Sequence, residues 1–495
     1  MALPSSRLTK GLLALLAAGL LVGSSQVQHS LTKLRGDLGL TRVEPLKNAP
    51  PILSLTTVVL GGFRGLIANA LWVRAMELQE NDKYFEKVQL ADWITKLQPH
   101  NNTVWTVQAW DMSYNISIKF TDPRDRWQWV YRGVELLRDQ ALVYNPHEVV
   151  LYQQLAWHFQ HKIGHNLDDA HLFYKSVWAS QMQDLFHGPR PDWDELGNPR
   201  TDDAKARARR LKEVYKLDLA RMRKVDETYG PLDWRLPETH AIYWAYVGKQ
   251  EARTKDDLIQ LRRVTYQSMD LAFQRGRLIS NKLGEGFRFE PNLDIIPKTN
   301  AAYEEAMAED EAMREHISRG HKNFLLSATY FLYTHGRSRD AQRWFDVVKQ
   351  KYPKDYPPGM TLDDYAVSRV QEDVSETDMN RTISNIMGAL RQGYLNLIDG
   401  DEDAFNGYQA LARNIWARYQ SKILGGPSEK RVGLPPLKEL QTEVLRYLVG
   451  SQTGTNTAAR AVLESRLGLT PADSSGTNAP PANPAPTAPA NPPKG

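Results

Sequence analysis

Residues 324–353 read FLLSATYFLYTHGRSRDAQRWFDVVKQKYP, with landmarks at Gly336, Ala341, Phe345 and Pro353. The last three follow the glycine by five, nine and seventeen positions, the offsets that close a helix-turn-helix unit of about 34 residues. Each landmark has a physical task. Gly336 lets the chain turn tightly where the first helix ends. Ala341 lets the second helix approach the first, Phe345 fills the space between them, and Pro353 stops the second helix.

Weaker copies appear on either side. Counting back from Pro99 places Ala75, Leu78, Tyr84 and Ala91 at packing positions, and counting back from Pro146 does the same for Ala141 and Leu142. Tyr152, Leu155, Ala156 and Phe159 repeat the first-helix spacing before Gly164, while Ala241–Gly248 and Gly393–Gly400 are small-residue pairs seven apart. Apolar positions recur at three- and four-residue spacing, without sustained period-two alternation. The unit resembles a tetratricopeptide repeat, and the resemblance covers about 70–188 and 237–423. It is also similar to repeat proteins of the membrane-anchored bacterial type. The resemblance implies an all-α, right-handed α-solenoid of helical hairpins that presents a surface to partners.

The expected organisation is a signal-anchor or signal peptide at 1–27, a linker and lead-in segment at 28–64, and N-terminal repeats at 65–188. An insertion with a charged helix follows at 189–236, then C-terminal repeats at 237–468 and a Pro/Ala/Asn-rich disordered tail at 469–495. A second break in the pattern lies at 284–297.

Arg7 and Lys10 precede the uncharged run GLLALLAAGLLVG at 11–23, which has the length and polarity of a secretory h-region. It serves either as a cleaved signal or as an uncleaved anchor, so the solenoid is expected outside the cytoplasm, in the periplasm or envelope. A second apolar run, 52–63, is interrupted by Gly61, Gly62 and then Arg64. It reads as the lead-in to the first repeat, with a membrane-associated segment as the alternative.

The 495 residues are 41% hydrophobic and 24% charged, with a net charge of +4, which is the balance of a globular chain. The one basic cluster, Lys205, Arg207, Arg209, Arg210 and Lys212, reads as a solvated helix face, so nucleic acid is not an expected partner. The absence of cysteine excludes disulfides, thiolate metal sites and a thiol nucleophile.

Catalytic signatures are absent as well. There is no phosphate loop, dinucleotide fingerprint, Gly-x-Ser-x-Gly or His-Glu-x-x-His. The carboxylates at 304–311 read as a solvated face. A lytic transglycosylase would need a separate lysozyme-like domain, and none is apparent. The best metal candidate is WHFQHKIGHNLDDAHLFYK, in which His158, His161 and His165, followed by His171 with Asp168 and Asp169, supply imidazoles and carboxylates.

Aromatic residues are abundant, with 13 tryptophans and 21 tyrosines. Most should fill gaps between helices, and a few should line a groove beside polar residues. Trp105, Asn102, Gln108, Asn115 and Arg132 are the candidate partner-binding set. The expected function is a non-catalytic, membrane-anchored scaffold or adaptor for protein partners in a cell-envelope complex, with no cofactor or metal. A metal-dependent envelope enzyme using His158, His161 and His165 is one alternative. A carbohydrate-binding or polymer-export component is another.

Overall fold

The structure, a computed structural model, describes residues 64–81, 83–280, 287–355, 359–371, 379–423, 434–449 and 457–468, together with positions between 15 and 34. Residues 1–14, the run at 52–63 and the tail at 469–495 lie outside the described residues, so the expectations placed on them stand as sequence readings. The described part is all-α, built from antiparallel pairs of helices, and divides into two compact units at Val104.

The N-terminal unit contains α1 (Arg64–Glu80) and α2 (Tyr84–Leu97), packed as a hairpin. Ala68, Ile94 and Val104 form its buried centre, with Leu71 and Trp72 against them. Lys87 donates to Gln79 across the pair at 2.7 Å. Among the described residues, no helix is long and apolar enough to cross a membrane.

The chain enters the second unit within α3 (Asn102–Trp110) and continues through α4 (Pro123–Glu135), α5 (Val149–Trp157) and α6 (His171–Phe186). Next come α7 (Asp202–Glu213), α8 (Leu219–Tyr229), α9 (Pro237–Glu251) and α10 (Lys255–Arg275). The rest are α11 (Ile296–Glu309), α12 (Arg314–Thr334), α13 (Ser338–Lys351), α14 (Leu362–Gln371), α15 (Met379–Asp399), α16 (Glu402–Ile423), α17 (Leu437–Val449) and α18 (Thr457–Leu467). Local chemistry sets the starts. Asp122 accepts from the Arg124 N–H ahead of Pro123 in α4, and Thr254 and Asp257 form a capping box on α10. Sequence neighbours pair as α9–α10, α12–α13 and α15–α16, while α9 also packs on α5 and α16 on α12.

The quoted hairpin is α12–α13. Gly336 takes a φ of 71°, and its N–H and that of Arg337 bond to the carbonyls of Tyr333 and Leu332, a Schellman ending. Ala341 and Phe345 are fully buried, Phe345 stacks on Tyr365, and Pro353 follows Tyr352, the residue that caps the end of α13. Close approaches recur at other glycines of the pattern: a Cβ on Gly248 would lie 2.7 Å from Tyr152 Cβ, across the α9–α5 contact.

Two departures from the sequence reading stand out. A two-stranded antiparallel hairpin pairs β1 (Arg277–Ser280), just before the stretch read as a break, with β2 (Phe287–Glu290), inside it. Four-residue strands are too short to display alternation, and this one is tied by Asp233 and Arg235 to Leu278. The charged helix of the insertion is only twelve residues long, and Arg207 is not on a solvated face. Its guanidinium is buried against Glu195, Asp203 and the Leu185 carbonyl, while Lys205, Arg209, Arg210 and Lys212 are exposed.

Asp270 on α10 is a carboxyl in no recognisable sequence pattern. Burial pushes its pKa up to about 6, only partly opposed by hydrogen bonds from Gln274 and Tyr303. A raised carboxyl pKa means the native state binds the proton more tightly than the unfolded chain, so ionisation above about pH 6 weakens the fold. Asp270→Asn is expected to raise stability by about 1–2 kcal/mol at pH 7.5. Urea titrations across pH should find the gain fading toward pH 4, about the unfolded carboxyl value.

Candidate interaction site

Three helices of the second unit end in a wider, π-helical turn. α3 runs into Asp111–Ile116, α4 into Leu136–Ala141 and α5 into His158–Gly164. Such turns are rare and frequent at functional sites, because the extra residue shifts the side-chain register and re-aims the faces that follow. The first of these turns packs against α4, where Gly133 faces the Ala109 carbonyl and Ser113, leaving no room for a Cβ.

The re-aimed faces bring five rings into one row. Trp110 stacks on Tyr114 with centroids 5.9 Å apart, and Tyr114 on Trp157 at 5.2 Å. Trp157 lies nearly parallel to His161 at 4.4 Å and 13°, and His165 follows at 5.8 Å. A hydrogen bond of 2.9 Å joins Tyr114 Oη to His161 Nδ1. Trp110 is 41% exposed, and the other four rings are half-buried, so the row is partly open to solvent. Burial, then the neighbouring His165 and Lys162, lower the His161 pKa, while burial raises that of Tyr114. At neutral pH the row is uncharged.

A charged knot holds the row from behind. Lys162 Nζ stands 4.9 Å from the Tyr114 ring and donates to Asp168 at 2.6 Å. Asp168 also accepts from Arg126, Tyr174 and the Ala170 N–H, and Arg126 pairs with Asp169. Burial works against ionisation of Asp168, but Lys162 and the Ala170 N–H outweigh it and hold the carboxyl below its usual range. Nearby, Lys175 is buried against His165 O, Asn166 and His171, and burial pushes its pKa down to about 8.

The geometry gives the histidines of the metal reading other partners. His158 is fully buried, with Nδ1 2.7 Å from the Gln154 carbonyl and Nε2 3.4 Å from that of Ala109. Both nitrogens therefore face backbone oxygen. His161 and His165 point their rings into the aromatic row. Among the described residues, no three His, Asp or Glu side chains are placed to hold a metal ion.

The candidate partner-binding residues do not share one open face. Trp105 is buried and stacked on Tyr144 at 5.9 Å, so it is core. Gln108 is buried too, Asn102 is half-buried in the N-terminal unit, and Asn115 bonds to Asp111 at 2.7 Å. Arg132 alone is exposed, with its guanidinium 4.9 Å from the Trp129 ring. The sequence did carry a signal for the row. Trp110 and Tyr114 are four apart, as are Trp157, His161 and His165, a spacing that puts rings on one helical face.

Comparison with protein-family models, with curated proteins and with solved structures finds no match to this chain.

Proposed function

We propose that this chain is a non-catalytic, membrane-anchored scaffold of tetratricopeptide-like hairpins that binds a protein partner in a cell-envelope complex. The observation that carries the reading is the uncharged row Trp110–Tyr114–Trp157–His161–His165, partly exposed and held by stacking and by the Lys162–Asp168 pair. Rings fixed before binding lose little freedom on association, which favours aromatic anchors. Arg132, exposed on neighbouring α4, is suited to hydrogen-bonding the backbone of an extended segment. The leader-like run at 11–23 supports placement at a membrane, with the helical units outside the cytoplasm.

Affinity capture from solubilised membranes, followed by binding measurements with the recovered partner, tests this. Trp110→Ala and Arg132→Ala are expected to weaken binding about tenfold or more, and the distant exposed variant Arg209→Ala to leave it unchanged. Recovery of no reproducible partner, or equal binding by all three variants, would count against the proposal. The open rings also suit sugar stacking, so binding of a glycan in place of a protein would favour a carbohydrate-binding role.

A further inference from the structure

Helix α1 has one buried apolar side and, among the described residues, large apolar side chains left open on another. Ala68, Ala75 and Leu78 are buried. On another side, Leu66, Val73 and Met76 are 65%, 70% and 60% exposed. Among the described residues nothing covers Leu66, Val73 and Met76, although Asn69 and Arg74 are also exposed on this helix. The exposed side changes character along its length, because Glu77 and Glu80 continue it after Met76 and are exposed. The apolar part is therefore the N-terminal part.

What precedes α1 indicates the cover. The run from 52 to 63 carries no charge, and residues 1–63 hold six Lys or Arg against two Asp or Glu. The helical positions at Leu15, Leu16, Leu20, Val22, Val27, Leu31 and Leu34 are apolar and more than half exposed. Apolar surface beside an excess of basic residues matches the inner part and the headgroups of an anionic bilayer.

We propose that the first three turns of α1 rest in the surface of an anionic lipid bilayer, with the helix leaving the lipid before Glu80. Leu66 and Glu80 are separated by about 21 Å along the helix axis, enough to pass from acyl chains to water. This rests on the membrane anchoring proposed above and adds which part of the folded unit enters the lipid.

The chain has no cysteine, so Leu66→Cys, Val73→Cys and Glu80→Cys each place one spin label. The full-length variants are reconstituted into vesicles of phosphatidylglycerol and phosphatidylethanolamine, and relaxation by oxygen is compared with relaxation by a water-soluble nickel chelate. Oxygen should dominate several-fold at Leu66 and Val73, and the chelate at Glu80. Exchanging phosphatidylglycerol for phosphatidylcholine should shift the Val73 label toward water. A Val73 label as open to the chelate as the Glu80 label, in protein that still sediments with the vesicles, overturns this proposal and leaves the anchoring intact. Dipolar broadening at Val73 would assign the face to a second copy and also overturn it. Failure to sediment at all would remove the anchoring itself.

Discussion

Gly336→Ala is expected to lower folding stability by about 3 kcal/mol, and Gly336→Asn to recover only the part owed to the backbone conformation. Two costs combine. The φ of 71° is left-handed, which costs a side-chain-bearing residue about 1–2 kcal/mol. A Cβ would also collide with the Asp403 carbonyl at the start of α16, and overlap of that kind costs about 1–3 kcal/mol. Asparagine tolerates the left-handed conformation but carries the same Cβ, so it isolates the second cost. The contact is mutual, since a Cβ on Gly407 would lie 2.6 Å from the Gly336 nitrogen. Gly407→Ala should therefore reproduce the steric part of the loss without any change in φ. Urea denaturation of the three variants measures this. Near-complete rescue by asparagine would mean that the turn conformation alone matters.

That pair of glycines marks how far the sequence could be read. Gly336, Ala341 and Phe345 announce a hairpin because turn, close approach and filling are local tasks, solved within some twenty residues. The partner of the turn lies about seventy residues later, and nothing in the α12–α13 stretch specifies Gly407. The same limit applies to the candidate site. Trp157, His161 and His165 are visible as a periodic set, but whether imidazoles at that spacing meet a metal or each other depends on the π-helical turns. Those turns pack against helices distant in sequence, the first against α4 and the third against α9. Trp105 illustrates the converse. Its aromatic character suits an anchor and a core equally, and Tyr144, which stacks on it, decides for the core. The short strands and the buried Arg207 were hidden for the same reason, being fixed by residues distant in sequence or by burial.

Asp168→Asn carries the second large effect, about 3 kcal/mol of lost stability at pH 7. Asp168 and Lys162 have side chains 6% and 5% exposed, so the amide would leave a buried ammonium without its counter-charge, the costly way to break such a pair. Asp169 provides the control: its side chain is 82% exposed, and Asp169→Asn should cost well under about 1 kcal/mol. The pH dependence follows from the depressed Asp168 pKa. Its contribution is fully present above the unfolded value of about 4 and is lost as the pH falls through the lower folded value. Wild type and Asp168→Asn should therefore differ most near neutrality and converge in acid, because protonation does to the carboxylate what the substitution does. A difference that stayed constant from pH 7 to pH 3 would mean that lost hydrogen-bond geometry, and not charge, accounts for the effect. The Lys162 ammonium lies over the Tyr114 ring, so freeing it should also loosen the aromatic row. Asp168→Asn is expected to weaken partner capture under conditions where the variant is still folded, whereas Asp169→Asn binds as wild type. That coupling links the charged knot to the binding surface it supports.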